Sequence, residues 1–152
     1  MDRMYDRILL ATDGTVSSQN AERHAIDLAK EHAANLHVLF VVDESIYTAY
    51  SGDEYVNEAE GPEHGLEELG EETIEQVRSS AMDSDVETKE ALKHGHPVET
   101  ILDYGDRNDV DMVVLGTKHR PAEYRAILGS VTERVLRLTT RPTIVIKTEV
   151  DE

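Results

Sequence analysis

Met112-Val113-Val114-Leu115-Gly116-Thr117-Lys118-His119-Arg120, followed a few residues on by Gly129-Ser130-Val131, is the stretch on which the fold turns. Val110 to Leu115 is the most apolar run of the chain and reads as a buried strand. Ser130 to Leu138 carries apolar residues at helical spacing. Between them lies a basic loop, with Lys118, His119, Arg120 and Arg125 against the single acid Glu123. A glycine ending a strand lets backbone approach a ligand closely. The first turn of a helix offers unpaired N–H groups with a partial positive charge, so phosphate is the expected guest.

That local basicity stands against a chain of formal net charge −17, with 32 Asp and Glu against 15 Lys and Arg. Such a balance disfavours nucleic acid and anionic membrane as partners, because both are bound by neutralising phosphate. Lysine occurs at positions 30, 89, 93, 118 and 147 alone, and acidic, lysine-poor surfaces resemble those of cytoplasmic proteins from extreme halophiles. No apolar run reaches the roughly 18 residues of a membrane helix. No basic-then-apolar leader opens the sequence, so the expected compartment is the cytoplasm. Without cysteine there is no disulfide, thiolate metal site or thiol nucleophile.

Working outward, the pattern alternates. Arg7 to Thr12 is a strand running into the Asp13-Gly14 turn. Ala21, Ala25, Leu28, Ala29 and His32 then share one helix face, with Ser17 or Ser18 as N-cap. Leu36 to Val42 is a second strand, interrupted by His37. Asp43 to Gly65 has no steady period and reads as a long loop, whose Tyr47, Tyr50 and Tyr55 fold back on the body or shield a ligand. Leu66, Leu69, Thr73 and Val77 mark a second helix ending near Met82, and Val86 to Leu92 an edge strand with one wet side. Pro97 opens a third helix through Val98, Ile101, Leu102 and Gly105. Pro142 to Lys147 closes the series as a fifth strand. Strands alternating with helices, joined by right-handed crossovers, predict one doubly wound α/β domain over residues 1–152: an open five-stranded parallel sheet with helices on both faces.

In such sheets ligands sit beyond the carboxyl ends of the strands. With the first strand central, three ends converge: Ala11-Thr12-Asp13, Val41-Val42-Asp43, and Gly116 with its loop. Asp13 suits a ribose or base as an acceptor, or is simply the turn residue before the first helix. Backbone near Val41 suits a base edge. Other constellations weigh less. His94 and His96 flank a glycine but lack a third ligand, so no metal site is expected. Ser130 with His119 has no nucleophile elbow or orienting acid, and there is no Gly-Lys-Ser/Thr phosphate loop. Catalytic residues are therefore not assigned.

Over nearly its full length the chain resembles the universal stress protein family. The matching residues are Thr12-Asp13-Gly14, Val41-Val42-Asp43, Gly95-His96-Pro97, Gly116-Thr117, Gly129-Ser130-Val131-Thr132-Glu133-Arg134-Val135 and Arg141-Pro142-Thr143-Ile144-Val145-Ile146. The resemblance implies strand order 3-2-1-4-5, a Rossmann-like fold akin to adenine nucleotide alpha hydrolases, and a homodimer paired through the last strand at Thr143, Ile144, Val145 and Ile146. Family members that bind ATP look like glycine, two residues, glycine, nine residues, then glycine with serine or threonine. Here Gly116 and Gly129-Ser130 fit that pattern, and His119 occupies the middle position. The resemblance makes Ala11, Asp13, Val41, Gly116, Thr117, Gly129, Ser130 and Val131 the candidate contacts, joined by Lys118, His119 and Arg120. It implies a stress-response protein with ATP as a regulatory ligand, Mg²⁺ or Mn²⁺ as its companion, and at most slow hydrolysis. The alternatives are a nucleotide-free dimeric interaction module and a nucleotide hydrolase or phosphotransferase on a related fold.

Overall fold

Five parallel strands lie in the order β3-β2-β1-β4-β5 in the computed structural model, which describes residues 5–44, 62–119 and 130–149. In chain order the elements are β1 (Arg7–Ala11), α1 (Val16–His32), β2 (Asn35–Asp43), α2 (Pro62–Asp83), β3 (Thr88–Gly95), α3 (Pro97–Asn108), β4 (Met112–His119), α4 (Ser130–Leu138) and β5 (Thr143–Glu149). Central β1 pairs with both neighbours, so Ile8 lies beside Leu36 on β2 and Met112 on β4. Its side chains alternate between faces. Ile8 and Leu10 join Ala21, Ala25 and Ala29 of α1 and Val77 and Ala81 of α2 in one core cluster. Leu9 joins Val98 and Ile101 of α3 and Val135 of α4 in a second. Both faces of the sheet are therefore covered, as a continuous apolar strand requires.

Helix ends follow local chemistry. Pro97 takes the first turn of α3, where a missing N–H costs nothing, and Asp109 closes that helix in the left-handed region at φ 50°. Arg141 then ties the entry of β5 to the end of α3. Its Nε donates to the Val110 carbonyl at 2.8 Å and its guanidinium meets Asp106 at 2.6 Å.

Several boundaries differ from the sequence reading, and in each case a partner explains the shift. β4 does not stop at Leu115 but continues through Gly116 and Thr117 to His119. β5 runs beside it as far as Glu149 and pairs with every residue from Val113 onward. β3 begins at Thr88 and runs to Gly95, because β2 offers ladder partners up to Asp43. Val86, expected to open that strand, is buried in the core just before it. α2 begins at Pro62, four residues before Leu66, since proline is tolerated in the first turn of a helix. Its buried stripe is Gly70, Thr73, Val77 and Ala81, with Leu69 largely outside it. The remainder of the long loop, with Tyr47, Tyr50 and Tyr55, lies outside the described residues. α1 opens at Val16 with Thr15 at the N-cap and no side-chain cap bond; neither Ser17 nor Ser18 takes that position. His37 is buried rather than a break in β2. Its Nδ1 lies 2.8 Å from the Tyr104 hydroxyl on α3, and burial with the nearby charges of Lys89 and Arg7 holds its pKa below the ordinary value.

Candidate functional site

A cleft of about 340 Å³ opens at the ends of β1 and β2 and beside Leu115 and Gly116 in the middle of β4. Its inner walls are apolar, built by Leu39 and Val41 of β2, Leu115 of β4 and Ile101 of α3, and its rim carries Asp13. The three strands meet there because β1 is central and both its neighbours run parallel to it, the arrangement that opens a crevice in doubly wound sheets.

Asp13 is held by its own turn. One carboxylate oxygen, Oδ1, accepts from the Thr15 backbone N–H at 3.0 Å, the Thr15 hydroxyl at 2.7 Å and the Ser18 hydroxyl at 2.7 Å. Ser18 Oγ in turn accepts from the Asp13 N–H at 3.2 Å. Desolvation at the rim would raise the carboxyl pKa, but the hydrogen bonds from Ser18 and Thr15 outweigh it and hold Asp13 below its ordinary range. Asp13 is thus an oriented anion, suited to accept hydrogen bonds from hydroxyl or amine donors. Gly14 follows at φ 79°, and a Cβ there would stand 2.8 Å from Thr73 Oγ1 of α2, so only glycine fits the turn.

Under this turn sits a second carboxylate. Thr12 is buried, and its hydroxyl donates to Glu22 Oε2 at 2.6 Å. Burial pushes Glu22 above its ordinary pKa; the Thr12 bond opposes that shift and the charge of Asp13 adds to it. On the β4 side, the Thr132 hydroxyl of α4 donates to the Gly116 carbonyl at 3.2 Å and ties the first turn of that helix to the strand. A neighbouring cavity of about 390 Å³ shares Asp43, Pro97 and Val131 with the cleft and adds Ser130, His96 and Arg134.

Of the residues singled out from sequence, the cleft brings together Ala11, Asp13, Val41, Gly116 and Val131, with Ser130 in the adjoining cavity. Thr117 is buried and does not line either space. Gly116 is a mid-strand residue with an ordinary backbone, not a strand terminus. Lys118 and His119 close β4, and their side chains are not among those described; Arg120 and Gly129 lie outside the described residues. His94 pairs with Glu67 at 3.0 Å, and no group of three or more His, Asp or Glu gathers among the described residues. No helix of the described chain is long and apolar enough to cross a membrane.

Sequence reading gave no role in the site to Thr12, Ser18, Glu22 or Thr132, although Thr12 and Thr132 stand in the family motifs and Ser18 was an N-cap candidate. A signal existed for two of them. Asp13 followed by Thr15 and Ser18 is the spacing of side chains that cap a turn, and Glu22 falls on the same helix face as Ala25 and Ala29. Thr132 stands in a family motif, but its role was not legible there, since its partner lies across a tertiary contact.

A model of the universal stress protein family matches residues 4–147. A universal stress protein of Methanocaldococcus jannaschii is 30% identical over 149 residues, covering 96% of this chain and 84% of the relative. Among solved structures, the universal stress protein UspA from Lactobacillus plantarum superposes with a TM-score of 0.78 at 28% identity, over 93% of this chain and 97% of that one. A universal stress protein from Archaeoglobus fulgidus in complex with dAMP shares the fold at a TM-score of 0.66 and 20% identity, over 95% and 99% of the two chains.

Proposed function

The chain belongs to the universal stress protein family, and on that footing we propose that it is a single-domain cytoplasmic stress-response protein that binds an adenine nucleotide, ATP foremost, as a regulatory ligand. The observation that carries the reading is the cleft itself: apolar walls wide enough for a base, with one oriented carboxylate, Asp13, at the rim. A base would lie between Val41 and Ile101, and ribose hydroxyls would donate to Asp13. Phosphates would extend toward Ser130 and the start of α4, since the first turn of a helix presents N–H donors to an anion, with Mg²⁺ or Mn²⁺ on the phosphates. The dAMP-bound fold neighbour supports the choice of an adenine nucleotide. The acidic, lysine-poor surface supports a high-salt habitat.

Isothermal titration of ATP and Mg²⁺ into nucleotide-stripped protein, in multimolar KCl, tests the reading. Micromolar binding abolished by Gly129→Val is the expected result. A folded wild type that gives no heat at two temperatures refutes it and leaves the nucleotide-free interaction module, a reading favoured by His119 in the middle glycine position.

We further propose that the protein is a homodimer through β5, an edge strand whose ladder partner among the described residues is β4 alone. Ile144 and Ile146 pack on the core cluster beneath α1, so a lysine there would damage the fold as well. Val145→Lys is the cleaner probe. A monomer by light scattering is expected, and an unchanged mass rejects the pairing.

A further inference from the structure

Glu22 is the buried acid that the nucleotide reading leaves unused. It is 9% exposed, on the α1 face that also carries Ala25 and Ala29. A carboxylate in such a place is destabilising unless its oxygens are satisfied. Its partner among the described residues is the Thr12 hydroxyl, at 2.6 Å.

The direction of that bond matters. A hydroxyl has one proton, and Thr12 directs it to Glu22. The Thr12 oxygen is then committed as an acceptor, and the Gly14 N–H donates to it at 3.3 Å. A chain of donors therefore runs from the Gly14 amide through Thr12 to Glu22, fixing the turn from beneath. Thr15 and Ser18 fix it from the helix side through Asp13. We infer that Glu22 is a positioning residue for the cleft, holding the Thr12-Asp13-Gly14 turn through the Thr12 hydroxyl so that the Asp13 carboxylate faces the ligand. The inference rests on the nucleotide-binding reading for its effect on affinity, and on the hydrogen bonds alone for its effect on Gly14.

Glu22→Met and Glu22→Gln separate positioning from mere packing. Methionine fills the site without a buried charge, so it is expected to melt no lower than wild type while depriving Thr12 of its acceptor. ATP–Mg²⁺ affinity should fall about tenfold in Glu22→Met and return to within about threefold of wild type in Glu22→Gln, whose carbonyl oxygen accepts the same bond. The Gly14 amide resonance, read by ¹H–¹⁵N correlation without nucleotide, should move in the methionine variant and return in the glutamine variant. Undiminished ATP affinity in Glu22→Met, or a Gly14 amide that does not move, overturns the inference. If wild type binds no nucleotide, the functional reading fails by itself and the Gly14 resonance still judges the link. Should Glu22→Met not fold, Thr12→Val removes the hydroxyl from the other end, and an unmoved Gly14 amide there overturns the inference equally.

Discussion

The two sides of the cleft are built differently. On the β1 side, the bonds orienting Asp13 come from Thr15 and Ser18, within five residues of it along the chain. On the β4 side, Gly116 is tied by Thr132, sixteen residues on, and the length of its strand is set by β5, which starts at Thr143. The first side is a local structure that the sequence specifies within one turn. The second exists only because distant elements meet. A local anchor keeps its geometry as long as α1 stands. A tertiary anchor depends on where α4 and β5 sit.

The largest break of this contrast is Gly14→Val. A β-branched side chain at φ 79° is strained, and its Cβ meets Thr73 of α2 at 2.8 Å. A loss of about 2–4 kcal/mol in stability is expected, measured by thermal or denaturant unfolding. Next comes Asp13→Asn. The native Asp13 pKa lies below the ordinary 3.8, so its ionised form stabilises the fold above that value, and the contribution disappears as pH falls through the native pKa. The variant should therefore be less stable by about 1 kcal/mol near neutrality and equal to wild type at the acid end, as acid-titrated melts would show. Glu22, whose pKa is raised, has the opposite sign: its contribution is fullest below the ordinary 4.5 and is lost as pH rises through its native value. The smallest effect sharpens the β4 side. Thr132→Val removes the bond to the Gly116 carbonyl and should cost about 1 kcal/mol. Amide exchange should rise at Gly116 and the start of α4 but not at Asp13; a uniform rise would erase the distinction between the two sides.

The same contrast explains what could be read in advance. Strand identities in β1, β2 and β4 were legible because buried parallel strands are runs of Val, Ile and Leu, and β5 because Thr143 to Ile146 is a β-branched run just after a proline. α3 was legible because Pro97 and the spacing of Val98, Ile101 and Gly105 agree. In the site, Ala11, Asp13, Val41 and Val131 were found because they stand near strand ends or at a helix start, positions that periodicity locates, whereas Gly116 was found although β4 runs on past it. The misreadings share one cause. The ends of β3 and β4 are set by ladder partners, and a glycine or a run of polar residues does not stop a strand whose neighbour continues. Ser18 was misread because it serves Asp13, not the helix terminus.

By itself the sequence determined the alternation of strands and helices, the turn at Thr12-Asp13-Gly14 and the apolar stripes, because these depend on residue type at short spacing. Family membership, too, was legible in its motifs. Tertiary structure decided how far β4 extends, that the Thr132 hydroxyl meets the Gly116 carbonyl, and that β1, β2 and β4 border one cleft. Those outcomes depend on pairing between residues far apart in the chain. Register and side-chain contact are settled only when the sheet assembles and both its faces are covered.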